Sequence, residues 1–210
     1  MTDDNSSLAR TGGSVPAERR MWELLLRAHS WDLVVDVGAG CGEWLLPDAL
    51  PPEAHIVAVE WRPERRECLA RRVRDTGLPV EIVDHRLRGR RPENKGGPPP
   101  EDLKTMDQVL LDRDVRALCV RLDAAADAQA VLGGGEVLFR QAERTSALLE
   151  IGSWAPEDLE GLLSDWRMYL FDVQAEVMLR VGGRSADAAR HLLNQGWVHP
   201  GHAVVSRGAQ

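Results

Sequence analysis

The sequence has few cysteines and no long apolar segment, and each absence narrows the class of protein. Its 210 residues include three cysteines, at positions 41, 68 and 119, with no C-x-x-C spacing. This pattern predicts reduced, buried thiols in a cytoplasmic protein. No stretch approaches the roughly 18 apolar residues of a transmembrane helix. The polar, acidic N-terminus lacks the apolar core of a signal peptide. We therefore expect a cytoplasmic protein without membrane segments.

The chain also lacks an excess of positive charge. Its net charge is −7 and its sequence pI is about 5.4, which argues against a general nucleic-acid binder. Arginines nevertheless cluster after residue 64 and within residues 86–91, so a local basic face stays possible. The length and a hydrophobic content of 43% suit one globular domain. We expect a disordered tail at 1–15 and a single domain at 16–210.

Residues 33–42 are the most informative stretch of the sequence. An apolar run from Leu33 to Val35 predicts a buried strand, and glycines at 38, 40 and 42 interrupt it. Glycine permits a tight turn and a close approach of the backbone to a ligand, because it has no Cβ. A helix beginning at Glu43 is expected to direct its N-terminal N–H groups toward the same ligand.

A second apolar run, residues 55–59, ends in Glu60, eighteen residues after Gly42. A carboxylate at that distance suits a ribose, since it can accept hydrogen bonds from both hydroxyls. The glycines and Glu60 together predict a nucleoside site at the carboxyl edge of a parallel sheet.

The glycine spacing narrows the choice of nucleoside. A dinucleotide fingerprint G-x-G-x-x-G would need its third glycine at position 43, which is Glu43. A pyrophosphate would meet Asp36 and Glu43 unfavourably, whereas a cofactor with a cationic amino-acid end would not. The D-x-G-x-G-x-G pattern resembles motif I of class I S-adenosylmethionine methyltransferases, and Glu60 matches the acidic residue after their second strand. The resemblance implies S-adenosyl-L-methionine as cofactor, with binding residues Asp36, Gly38, Ala39, Gly40, Gly42, Glu60, Trp61 and Asp84.

Strand and helix patterns alternate along most of the chain. Helices are predicted at 16–29, 63–76, 105–111, 124–132, 156–166 and 185–194, and further strands at 80–83, 117–123, 146–152, 168–172, 177–181 and 202–206. The alternation predicts an α/β fold with a doubly wound, mainly parallel sheet of the Rossmann-like methyltransferase type. Asp36, Glu60, Asp84 and Asp123 then all fall at carboxyl ends of strands. Residues 88–104 form one long irregular stretch that is expected to contact the acceptor.

A finer resemblance lies further along the chain. Residues 105–110, T-M-D-Q-V-L, look like the T-L-D-x-L-L segment of FkbM-type methyltransferases, and residues 120–133 are similar to their I-K-I-D-V-E-G-A-E-x-x-V-L-x-G. The resemblance implies O-methylation of a hydroxyl on a small molecule or sugar. Arg121 replaces the family's lysine, and Ala125 and Ala126 replace its E-G pair. These departures imply an altered substrate or a lost activity.

Methyl transfer to oxygen needs a positioned acceptor and a group that removes the hydroxyl proton. The candidate catalytic bases are Asp123 and His85. Alternatively, Asp123 caps its strand and His85 is a surface histidine. His199 and His202 have no carboxylate or thiolate nearby in the sequence, so we interpret residues 199–202 as a turn and predict no metal.

Three functions remain open at this point: an O-methyltransferase for a small-molecule or sugar acceptor, an RNA or protein methyltransferase, and a degenerate cofactor-binding protein. The sequence makes no prediction of the oligomeric state.

Overall fold

The structure is a computed structural model that describes residues 16–89, 103–110, 112–123, 128–151, 154, 156–182, 186–194, 196 and 198–208. The tail predicted at 1–15, most of the irregular stretch at 88–104, and Ala125 and Ala126 lie outside the described residues.

Ten strands account for the β-structure of the described residues. They are β1 (Leu33–Val37), β2 (His55–Val59), β3 (Val80–Val83), β4 (Arg86–Leu87), β5 (Leu103–Lys104), β6 (Ala117–Leu122), β7 (Arg144–Glu150), β8 (Arg167–Asp172), β9 (Val177–Arg180) and β10 (Val198–Gly208). Eight of them form one sheet in the order β3-β2-β1-β6-β7-β10-β8-β9, and β4 pairs with β5 separately.

Helices cover both faces of the large sheet. They are α1 (Ala17–Ala28), α2 (Pro63–Thr76), α3 (Met106–Leu110), α4 (Ala128–Gly133), α5 (Glu136–Gln141), α6 (Pro156–Asp165) and α7 (Ala186–Asn194). One buried cluster contains residues of the five helices from α3 to α7 and of one face of the sheet, such as Val35 and Val120. A second cluster contains residues of α1 and α2 and of the opposite face of the sheet, such as Val34 and Cys119. None of the described helices is long and apolar enough to cross a membrane.

The strand directions confirm the predicted fold class. Strands β3, β2, β1, β6 and β7 pair in parallel, whereas β10 runs antiparallel to β7 and β8, and β9 antiparallel to β8. The chain order reverses between β1 and β6, which is the switch point where doubly wound sheets bind ligands. The carboxyl ends of β1 and β6 therefore frame the candidate site.

Several local predictions were wrong. No helix begins at Glu43: residues 41–54, all described, form turns, since Pro47 lacks an N–H and restricts the residue before it. Residues 199–202 belong to β10 rather than to a turn, although the register with β8 shifts between Val198 and Ala203. Helix α4 ends at Gly133, close to the predicted end at residue 132, whereas helix α5, which follows the glycines at 133–135, was not predicted.

The cysteine prediction also needs correction. Cys41 and Cys68 form a disulfide with a Cα–Cα distance of 5.0 Å, whereas only Cys119 is a free, buried thiol. Cys41 follows β1 and Cys68 lies on α2, and the fold brings these two segments into contact. Their separation of 27 residues along the chain does not indicate this contact. Neither cysteine belongs to a C-x-x-C motif, so spacing gave no signal.

Candidate active site

The glycine loop, residues 38–42, leaves the carboxyl end of β1 in a conformation that its glycines require. Gly38, Gly40 and Gly42 have φ values of 75°, 60° and 85°, which L-residues with side chains rarely adopt. A Cβ on Gly38 would lie 2.7 Å from the Asp123 Cβ, and one on Gly42 would lie 2.9 Å from Leu69 Cδ1. The two outer glycines therefore allow the loop to pack against β6 and α2.

A cleft opens between this loop and the ends of β6 and β7. Gly38 and Gly40 line one side, and Asp123, predicted as a catalytic base, lines the other. Its further walls are Glu43, Trp44, Arg65, Arg121, Leu122, Leu148, Glu150 and His202. The structure thus brings together Gly38, Gly40 and Asp123, as the sequence predicted. The backbone N–H of Asp123 donates to the Val37 carbonyl at 3.0 Å, which fixes it beside the loop.

Asp36 and Arg121 form a buried ion pair beneath the cleft. They face each other in the β1–β6 register, and Arg121 Nη1 donates to Asp36 Oδ1 at 2.5 Å. Burial raises the pKa of the Asp36 carboxyl, while Arg121 partly opposes that rise. The Arg121 guanidinium also lies 4.4 Å from the centre of the Trp44 ring. Asp36, predicted to bind cofactor, is here the partner of Arg121.

Glu60 is buried and holds the glycine loop. Its Oε2 accepts from the Gly40 N–H at 2.9 Å, and its Oε1 accepts from the backbone N–H and the Nε of Arg62 at 2.9 and 3.2 Å. The Glu60 side chain is fully buried, and these three hydrogen bonds use most of the roughly four lone-pair sites of its carboxylate. Ala39, which lies within the loop and was predicted to bind the cofactor, is fully buried.

The remaining predicted residues lie further along the same edge. Trp61 is 45% exposed, and the guanidinium carbons of Arg62 and Arg86 lie 5.9 and 5.3 Å from its ring centre. Asp84 and His85 follow β3, and their side chains approach to 3.8 Å near the surface. His85 is not among the described residues that line the cleft.

Eight of the residues that line the cleft were not predicted as site residues, among them Trp44, Glu150 and His202. Glu150 ends β7, just as Asp123 follows β6, so the strand-end rule could have identified it. Trp44 and His202 gave no such signal, because neither follows a parallel strand. Burial lowers the pKa of His202, and the neighbouring His199 lowers it further.

A larger cavity, of about 330 Å³, lies at the opposite edge of the sheet. It is lined by largely apolar residues, among them Leu25, Tyr169 and Met178. It contains neither the glycine loop nor a carboxylate that follows a parallel strand. None of the predicted site residues lines this cavity.

The Cys41–Cys68 disulfide links the glycine loop to α2. We expect reduction to cost about 2–4 kcal/mol, since the bond restricts the unfolded chain, and to lower the melting temperature by about 4–16 °C for a domain of this size. Thermal melts with and without a phosphine reductant measure the shift. The Cys41→Ser/Cys68→Ser double variant should not respond to reductant, whereas Cys119→Ala should respond like the wild type. Equal melting of the wild type in both conditions contradicts the disulfide.

Comparison with solved structures agrees with this architecture. A methyltransferase from Geobacter sulfurreducens matches 93% of this chain and 81% of its own at a TM-score of 0.54 and 17% identity. An rRNA methylase from Streptococcus thermophilus matches 94% of this chain and 100% of its own, with a TM-score of 0.51 and 14% identity. A chain of the fibrillarin/Nop5p complex matches 93% and 83%, with a TM-score of 0.54 and 12% identity.

The chain therefore has the Rossmann-like fold of class I methyltransferases. At these identities the similarity concerns the fold alone. No protein-family model and no curated protein matches the sequence, so the FkbM-type resemblance stays a prediction.

Proposed function

We propose that the protein is an S-adenosylmethionine-dependent methyltransferase that methylates a hydroxyl oxygen of a small molecule or sugar. The observation that carries the proposal is the contact between Gly38 and Asp123, which places the glycine loop and a strand-end carboxylate in one cleft. The loop is proposed to hold the cofactor, and Asp123 to face the acceptor. The FkbM-type resemblance supports oxygen as the methylated atom.

The residues of the cleft suit this reaction. Bound S-adenosylmethionine supplies an electrophilic methyl group on a positively charged sulfur. Asp123 is proposed to orient the acceptor hydroxyl and take its proton as the oxygen–carbon bond forms and the carbon–sulfur bond breaks. Asp36 and Arg121 neutralise each other, so neither competes with Asp123 for the acceptor.

Gly40 offers the sharpest test of the cofactor site. A Cβ there would lie 2.8 Å from Glu43 Oε2 and 3.8 Å from Arg65 Nη1, both at the ends of flexible side chains. We expect Gly40→Val to stay folded, with strain at its positive φ, but to lose S-adenosylmethionine binding because the side chain occupies the cofactor's approach. Calorimetry measures the affinity, and circular dichroism checks the fold. Wild-type affinity in the variant, or no binding by the wild type, overturns the proposal.

Glu60 provides a graded prediction. Glu60→Ala removes the acceptor for the Gly40 N–H and for the ribose, and hydrogen bonds to a charged group contribute about 1.5–3 kcal/mol. We expect cofactor affinity to fall at least about tenfold by calorimetry. Glu60→Gln keeps one carbonyl oxygen for Gly40 and should lose less. A loss under twofold in Glu60→Ala, with an unchanged melting temperature, contradicts a ribose-binding role.

An RNA acceptor is the second candidate, because Arg62 and Arg86 flank the exposed Trp61 ring. Aromatic and arginine planes stack on unpaired RNA bases. Methyl transfer from labelled cofactor should be compared on total RNA and on a panel of hydroxylated metabolites. If the wild type labels RNA and the labelling falls at least tenfold in Arg86→Ala, the RNA acceptor is favoured over the small-molecule acceptor.

A further inference from the structure

Three potential metal ligands from distant parts of the chain meet beside the cleft. Glu18 lies in the first turn of α1, and His199 and His202 lie in β10. One ligand atom from each residue lies within 4.8 Å of the others. We infer that these residues, the Glu18–His199–His202 cluster, bind a divalent transition-metal ion, with Zn²⁺ as the best chemical match.

The fold explains why the three residues meet. Strand β10 pairs with β7 on one side, and its register brings His202 opposite Glu150, at the carboxyl end of β7. Between Val198 and Ala203 the register of β10 with β8 is irregular. In this segment the Gly201 carbonyl accepts a hydrogen bond from the Ile151 N–H at 2.7 Å. This irregular segment turns His199 toward the start of α1. The side chains of His199 and Glu18 are 15% and 29% exposed, so solvent ions can reach them.

The spacing of the cluster is close to that of a zinc site. A tetrahedral zinc ion with bonds of about 2.0–2.2 Å places its ligand atoms roughly 3.4 Å apart. His199 Nε2 and Glu18 Oε1 are already 3.1 Å apart, so an ion can replace the proton they share. Binding at Nε2 moves the ring proton to Nδ1, so the long 3.3 Å contact from the Gly201 N–H is given up. No two ligand atoms of the cluster are more than 4.8 Å apart, so each pair must approach by at most roughly 1.4 Å, which side-chain rotation can supply.

His202 supplies an independent indication of a ligand. Its Nδ1 is buried and has no hydrogen-bond partner among the described residues. Buried ring nitrogens normally have a partner. The ring lies 5.1 Å from that of His199, measured between centroids. His202 thus has a ring nitrogen without a partner and lies beside a second imidazole and a carboxylate. A bound metal ion would give the three side chains a common partner.

The ligand types select among metals. Imidazole nitrogens favour zinc and other late first-row ions, whereas magnesium and calcium prefer all-oxygen ligands. Three protein ligands leave one tetrahedral position open. His202 also lines the cleft with Asp123, so an ion bound here would lie beside the proposed acceptor and could take the acceptor oxygen as its fourth ligand. This role, which rests on the proposed function, would lower the pKa of the bound hydroxyl and ease its deprotonation by Asp123.

Metal binding is tested on the full-length chain after removal of metals by chelation and dialysis. Titration calorimetry with Zn²⁺ alone should show one ion per chain, with no competition from excess Mg²⁺. Loss of second-shell groups typically weakens metal affinity about 10–100-fold, so removal of a direct ligand in His199→Ala or Glu18→Gln should weaken it by about 100-fold or more. His55→Ala is the matched control: His55 also contacts a glutamate, Glu81, at 2.8 Å, but no third ligand completes a cluster there among the described residues.

The outcomes are distinct. Absence of saturable zinc binding by the wild type, or wild-type affinity in both folded ligand variants, overturns the site. A cobalt-substituted sample gives a second readout, since visible bands of tetrahedral Co²⁺ should appear in the wild type and disappear in His199→Ala. Zinc binding without cofactor binding would establish the site and refute the proposed function. Cofactor binding without zinc binding would refute the metal site and leave the proposed function standing.

Discussion

Replacement of Asp123 by asparagine should lower the rate of methyl transfer by about 10²–10⁴-fold, the usual contribution of a catalytic base. The change keeps the shape of the side chain but removes its charge and its ability to take a proton. Cofactor affinity should change little, because the glycine loop and Glu60 are untouched. Turnover of labelled cofactor with an acceptor from the metabolite panel and calorimetry of cofactor binding provide the two measurements.

The contrast between these measurements separates a catalytic from a structural Asp123. The Asp123 Cβ lies close to Gly38. If Asp123 has only a structural role, the variant should therefore show both a lower melting temperature and a lower cofactor affinity. Asp75→Asn, an exposed acid on α2, is the matched control and should behave like the wild type. Wild-type turnover in Asp123→Asn would remove Asp123 from the mechanism and leave His85 as the candidate base.

Replacement of Arg121 by methionine should destabilise the fold by about 3–5 kcal/mol, because it leaves the buried Asp36 carboxylate without its partner. Methionine keeps an apolar stem beside Trp44, so the loss reports the charge more than the packing. Guanidinium unfolding at pH 7.5 measures the change. The Asp36→Asn/Arg121→Met double variant removes both charges and should recover most of the stability.

The pH dependence of this loss follows from the raised pKa of Asp36. Burial already raises that pKa, and removal of Arg121 raises it further. A folded-state pKa above the unfolded value means that the folded protein gains stability from protonation at low pH and loses it as the pH rises. The deficit of Arg121→Met should therefore shrink as the pH falls from 7.5 toward the ordinary pKa of 3.8. A deficit that is the same at both pH values would attribute the loss to packing against Trp44.

Local sequence patterns predicted most of the elements. The helix predicted at 105–111 illustrates this, because α3 begins there with a reciprocal cap. The Gln108 N–H donates to Thr105 Oγ1, and Gln108 Oε1 accepts from the Thr105 N–H. Helix α5 shows the limit of such patterns. Gly135 lies at its start, where a Cβ would be 2.9 Å from Phe139 Cζ, so this glycine serves tight packing rather than helix termination.

By itself, the sequence determined the glycine loop, the strand-end acids and the doubly wound sheet, since each depends on residues that are close in the chain. The tertiary structure decided the contacts between distant residues. Asp36 pairs with Arg121 across 85 positions and Glu18 meets His199 across 181, while Cys41 joins Cys68 across 27. These pairings depend on strand order, strand register and the position of α1 and α2 against the sheet. Spacing along the chain does not encode that information, because the same intervals fit many ways of packing helices against a sheet.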